Sequence, residues 1–336
     1  MSGKGQVIRA RRWTMRQPKK SWKSEDIMNL LLNRTVPIQI ILVAILVLSL
    51  SACSATRSLI ASFQSTDHFL TLASDPRVLY EPGAEANARD IVPLLPEAIS
   101  KVEKRQYLPF RDPVNIYVCA SAESYYKLTG TRARAVVTNK LFLSPALFQD
   151  RPTLPLYLTH ELSHLHLLQR LGTYRMIELP SWFKEGLATF VSGGGGAPDI
   201  SDEQALNAIR STQNFVPDEG QGVIGSLLFP RYGSYWKLDN HMFYRQGMLF
   251  VAFMKKTDEN SFRKFLISIQ QGEDFSTALM NAYNKNLSRL WEQFIEEIKG
   301  RNDKNTNQTR VQLDTVLHYG GCPSKLVVLC RLIIKK

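Results

Sequence analysis

Apolar and polar positions follow two different rhythms along this chain, and the change falls near residue 150. Before it, Val114-Asn115-Ile116-Tyr117-Val118 reads as a strand flanked by Asp112-Pro113. Ala135–Thr138 and Leu141–Ser144 flank Asn139-Lys140 as a hairpin, and residues 66–80 alternate weakly enough to predict one more strand. Two helices fall among these strands. One runs from Ala84 to about Gln106 with Pro93 and Pro96 set to break or kink it, and one runs from Ser121 to Leu128 and stops at Gly130. After the change, helical spacing dominates. A long helix is predicted from about Pro152 to Leu171, with Gly172 past its end, and a second from about Ser181 to Val191, closed by Gly193–Gly196. Further helices are expected at about 201–211, 240–256, 259–271, 274–283 and 287–299, with an irregular stretch from Gly220 to Tyr235. Strands with two helices first, and helices afterwards, predict an α+β body over residues 66–300.

Charge changes the picture only once it is located. The net charge of +12 sits at the ends, because residues 53–300 hold 26 basic and 26 acidic side chains. A neutral body without a basic stripe or interleaved aromatics argues against nucleic acid as a partner. The glycine run 193–196 reads as a flexible loop. It lacks the Lys-Ser/Thr ending of a phosphate-binding loop and follows a helix rather than a strand.

The N-terminus reads as a targeting segment. Val36 to Ala52 carries no charge, follows a basic stretch, and is too short in its unbroken apolar run (Ile40 to Leu48) for a spanning helix. Leu50-Ser51-Ala52-Cys53 resembles a bacterial lipobox. That resemblance implies that residues 1–52 are a signal peptide, with Met28 as an alternative start. It further implies that Cys53 is lipidated and that residues 53–65 form a tether. An uncleaved signal anchor is the alternative. Ser54, where an aspartate would retain a lipoprotein in the inner membrane, favours the outer membrane of a Gram-negative cell envelope. Cys119, in an apolar strand, reads as a buried small hydrophobe, and Cys322 and Cys330 could pair in an oxidising envelope. Residues 301–336 form a polar and basic tail without a structural assignment.

The candidate chemistry lies in the long helix, Pro155-Leu156-Tyr157-Leu158-Thr159-His160-Glu161-Leu162-Ser163-His164. Residues four apart share a helix face, so His160 and His164 converge. Two Zn–N bonds of about 2.05 Å at a tetrahedral angle need ring nitrogens about 3.3 Å apart, within reach of such a pair. Glu161 lies one step round the helix, beside the metal, where the general base for a zinc-activated water belongs. The next helix, Ser181-Trp182-Phe183-Lys184-Glu185-Gly186-Leu187-Ala188, offers Glu185 as a third ligand, a hard oxygen donor that leaves a fourth position open. Trp182 and Leu187 want burial, and Gly186 permits close helix approach. The plainer alternative is two core histidines satisfied by carbonyls and an ordinary capping glutamate. His166 points away from this face and reads as packed or exposed rather than ligating.

His160-Glu161-Leu162-Ser163-His164, followed by Trp182-Phe183-Lys184-Glu185-Gly186-Leu187-Ala188, resembles the peptidase-MA-like gluzincin family of zinc metallopeptidases. Tyr244–Val251 and the helices through Gly300 also fit, so the resemblance covers about residues 66–300. It implies a zincin-like fold, in which a small mixed sheet and an active-site helix precede a mainly helical subdomain. It implies one Zn2+ ion, a tyrosine (Tyr244, with Tyr232, Tyr235 and His241 as rivals) facing the oxyanion, and the 135–144 hairpin as a substrate-binding edge. Two departures stand out. Thr189 occupies the position of an acidic residue that bonds a ligand histidine in thermolysin-type sites, where it is expected to bond as a weaker orienter, and the aminopeptidase signature loop is not visible upstream. The expected function is peptide-bond hydrolysis by an envelope-anchored enzyme acting on a peptide or protein of the cell envelope. The alternative is a catalytically weak zinc lipoprotein with a binding or assembly role.

Overall fold

In the computed structural model, which describes residues 64–300, five short strands pair into one mixed sheet. They are β1 (Leu70–Thr71), β2 (Val78–Tyr80), β3 (Ile116–Val118), β4 (Ala135–Val137) and β5 (Leu141–Leu143), in the order β1-β2-β3-β5-β4. The three inner strands run parallel, while β1 and β4 pair antiparallel at the two edges. Side chains alternate faces along a strand, and that decides the layering. Ile116, Val118, Leu141 and Leu143 enter the main core, whereas Tyr117 and Phe142 join Phe69, Cys119, Tyr125 and Leu128 in a smaller cluster. Cys119 is the buried hydrophobe expected, and burial raises its thiol far above the ordinary range.

The 135–144 hairpin forms as expected, with Ala135 opposite Leu143 and Val137 opposite Leu141. Residues 66–80 differ from expectation, because they form two strands with a turn between them. Asp75 makes that turn: its carboxylate accepts from the Arg77 backbone N–H at 3.1 Å and from the Arg77 guanidinium at 2.6 Å, and its carbonyl accepts from Val78 N–H. Asp75-Pro76 is a turn signal that the weak alternation obscured.

The predicted first helix divides at its prolines into α1 (Glu85–Ile91), a 3-10 turn at Val92–Leu94, and α2 (Leu95–Gln106). α3 (Ala122–Thr129) is capped by Ser121 and ended by Gly130 at φ 72°. The long helix α4 (Leu154–Glu178) continues past its expected end. Gly172, at φ 71° and ψ 168°, kinks the chain and the helix resumes beyond it. A glycine in the left-handed region closes a helix only if the residues after it cannot restart one, and Thr173–Glu178 can. α5 (Ser181–Ser192) and α6 (Asp202–Arg210) come next. The stretch expected to be irregular contains a short helix, α7 (Gly222–Leu228), and a 3-10 turn at Gly233–Trp236. α8 (Asn240–Thr257), α9 (Glu259–Gln270) and α10 (Phe275–Tyr283) each begin with an aspartate (Asp239, Asp258, Asp274) accepting from first-turn N–H groups. A last helix, α11, spans 287–300.

The result is α+β, mostly helical, with α4 packed against strands β4 and β5 and also against helices α2, α5, α7 and α9. α5 crosses α8 where Gly186 faces Gly247, and a Cβ at Gly186 would lie 2.5 Å from the Gly247 carbonyl carbon. Around that crossing Trp182 packs on Phe215 and Phe250, and Phe183 on Phe265 and Phe275. Among the described residues no helix is long and apolar enough to cross a membrane. The expected signal peptide, Cys53, Cys322, Cys330 and the tail 301–336 lie outside the described residues.

Candidate metal centre

α4 is apolar around nearly its whole circumference, so its polar side chains must find partners inside the protein. Leu158, Leu162 and Leu165 are buried, and His160 is only 3% exposed. Helical spacing stacks His164 one turn beyond His160, with their ring centroids 4.8 Å apart. Their Nε2 atoms lie 3.1 Å from each other, and each lies 3.4 Å from Glu185 Oε2. Glu185 arrives from α5, which packs directly on α4. The three donor atoms therefore form a nearly equilateral triangle, with edges close to the roughly 3.3 Å that a tetrahedral Zn2+ ion imposes on its ligands. Two imidazole nitrogens and one carboxylate oxygen are also a donor set that Zn2+ takes. These residues fit the metal, and among the described residues they are the one His/Cys/Asp/Glu group that gathers in this way.

The orientation of His160 is fixed from behind. Its Nδ1–H donates to the Gly195 carbonyl at 2.9 Å, which leaves the Nε2 lone pair aimed at the triangle. The loop carrying that carbonyl is packed, not free. Gly194, Gly195, Gly196 and Ala197 are all buried, which corrects the expectation of a flexible loop. A Cβ on Gly195 would meet the Leu156 carbonyl oxygen at 2.3 Å, and one on Gly196 would meet His160 Cε1 at 2.6 Å. The glycines are there because the backbone lies directly on α4 and on the ring. Sequence reasoning missed this loop, since a glycine run looks the same whether it is mobile or pressed against a neighbour.

Thr189, expected to bond a ligand histidine, does not do so. It is fully buried and its hydroxyl has no hydrogen-bond partner, while Gly195 takes the orienting place. The end of α5 is held by cations from α2: Lys101 Nζ donates to the Ser192 carbonyl at 2.9 Å and Arg105 Nη1 to the Phe190 carbonyl at 2.6 Å. Positive charge at a helix C-terminus is favourable, and here it also steadies the start of the glycine loop.

The two carboxylates have opposite environments. Burial opposes ionisation of Glu185, but His164 and His160 outweigh it and hold the carboxyl well below the usual range. Burial pushes Glu161 up to about 7; His160 partly opposes that rise and Glu185 adds to it. In the metal-free site the two carboxyls are thus pushed in opposite directions, Glu185 toward the charged form and Glu161 toward the protonated one.

Of the four oxyanion candidates, the structure brings two near the triangle. The Tyr244 ring stacks on His160 with centroids 6.1 Å apart. Glu185 first, and burial second, raise its hydroxyl far above the usual phenol range, so it stays protonated as a donor. Burial, then Glu185, push Tyr232 up to about 12, and Ser181 bonds its hydroxyl. Tyr235 is exposed against Trp236 and Arg231, and His241 pairs with Asp199 at 3.0 Å. His166 is fully buried, bonded to Gln106 at 2.9 Å and donating to the Leu108 carbonyl at 2.8 Å, which makes it a packed residue and not a ligand. No protein-family model matches the chain, and no curated protein matches it, so the case for its chemistry rests on this geometry.

Proposed function

We propose that this chain is a zinc-dependent metallopeptidase of the gluzincin type, held in a bacterial cell envelope by lipid on Cys53. One observation carries the proposal: the His160–His164–Glu185 triangle has the size and donor set of a zinc site, with Glu161 beside it. The small mixed sheet supports a zincin-like arrangement, because its edge strand β4 runs antiparallel to β5 and, among the described residues, pairs with no other strand, the kind of edge that an extended peptide can join.

Bound at the triangle, Zn2+ would supply a Lewis acid for the scissile carbonyl and lower the pKa of water there. Glu161 takes the proton from the attacking water and passes it to the leaving amine, giving one carboxylate and one amine product. Burial raises its carboxyl in the metal-free chain, the direction that suits a group which must both take and return a proton. Tyr244 O–H donates to the oxygen on which negative charge grows. Gly195 holds His160 in the tautomer that presents Nε2.

The experiment is digestion of a random peptide library by the purified chain, with a zinc chelator and with zinc restored. The proposal expects cleavage that disappears on chelation and returns with Zn2+. A chain that binds zinc and cleaves nothing would be the binding or assembly lipoprotein instead.

A further inference from the structure

Two consecutive residues of α8 reach the surroundings of His160. Tyr244 stacks on the ring, while the side chain of Arg245 turns to the glycine loop. Arg245 Nη2 donates to the Ala197 carbonyl at 2.6 Å, and Nη1 donates to Asp202 at 3.2 Å on the first turn of α6. The forked edge of the guanidinium faces Gly194, where a Cβ would sit 3.1 Å from Nη2 and 3.2 Å from Nη1. Gly194 has φ +111°, so this close fit needs glycine twice over, for conformation and for space. The side chain is 12% exposed, and α8 itself is anchored to α5 by the Gly186–Gly247 contact.

Between these contacts lies Gly195. The loop is pinned at its start by Ser192 Oγ, which accepts from Gly195 N–H at 2.9 Å, and at its end by Arg245 through Ala197. We propose that Arg245 is a positioning residue for the metal centre: it clamps residues 194–197 against α4, so that the Gly195 carbonyl receives His160 Nδ1–H and Nε2 is presented to the ion. The planar fork spans the loop and α6 together, which a lysine cannot do from one nitrogen position. The inference rests on the reading of His160 as a zinc ligand, and extends it to a residue that touches neither metal nor substrate. Outer-shell partners of metal-bound histidines carry about 10–100-fold in metal affinity.

The test uses the full chain and the variants Arg245→Met and Arg245→Lys, with the exposed Arg89→Met as control. Zinc affinity is measured by competition with a chromophoric chelator, and the His160 imidazole is followed by nitrogen-15 NMR in metal-free protein. Arg245→Met is expected to weaken zinc about 10–100-fold and to turn the Nδ1–H form of His160 into a mixture of tautomers. Arg245→Lys should fall between it and wild type, and Arg89→Met should match wild type. Circular dichroism identifies a variant that has merely unfolded; if Arg245→Met does so, Arg245→Lys carries the comparison. A folded variant with wild-type affinity and an unchanged imidazole signal overturns the clamp. A wild-type chain that binds no zinc overturns the metallopeptidase reading instead, while the metal-free imidazole signal still decides the clamp.

Discussion

Gly196 lies against the face of His160 so closely that a Cβ there would come within 2.6 Å of Cε1 and 2.9 Å of Nδ1. The backbone at this glycine has φ +81°, so alanine would also be strained by conformation. Gly196→Ala is therefore expected to push the ring off the triangle and weaken zinc binding by about 10–100-fold, read by chelator competition. An alanine variant that binds zinc as tightly as wild type would show that the loop does not constrain the ligand.

The crossing of α5 and α8 leaves no room for a methyl group at either glycine. Gly186→Ala and Gly247→Ala should each destabilise the fold by about 1–3 kcal/mol through overpacking. Urea midpoints will measure this, and the double variant should cost less than the sum, because both changes open the same contact.

Burial raises the Glu161 carboxyl to about 7, against 4.5 for the free side chain. A raised pKa favours the folded state fully below about pH 4.5, and that contribution is lost as pH climbs to 7. In metal-free protein Glu161→Gln removes this loss, so the variant should be more stable than wild type at pH 8, by on the order of 2–3 kcal/mol, and nearly equal to it at about pH 4. Glu185 titrates the opposite way in both proteins and cancels from the comparison. Equal stability at pH 8 would mean that Glu161 is not desolvated.

Tyr244 stacks on His160 and keeps its proton at any working pH. Tyr244→Phe should lower kcat about 10²–10³-fold with KM and zinc content little changed, since only the growing oxyanion would feel the missing donor. If Tyr232→Phe shows that loss and Tyr244→Phe does not, the roles of the two tyrosines are exchanged.

The His160, His164 and Glu185 cluster was legible because its spacing carries the geometry. His160 and His164 one turn apart, and Glu185 on a helix opened by Pro180 and thinned by Gly186, bring three donor atoms together with little dependence on the rest of the fold. The α+β order and the 135–144 hairpin were legible for the same reason, being local patterns. The hidden features depended on contacts distant in sequence. Arg245 meets Ala197 across 48 positions, and Gly195 meets His160 across 35, so nothing near either residue announces the pairing. Position in a motif assigns Thr189 a bond that the structure supplies from the backbone of Gly195 instead. Gly172 and Asp75 show the local version of the problem, where one residue type serves as a kink or an end, a turn or a strand break, according to the residues around it.

The most direct measurement is peptide-bond turnover by Glu161→Gln alongside its zinc content. The substitution keeps the shape of the side chain and leaves His160, His164 and Glu185 untouched, so the variant should hold one zinc ion per chain. Without the base it should lose hydrolysis by about 10²–10⁴-fold or more. Undiminished turnover in the zinc-loaded variant would contradict the account.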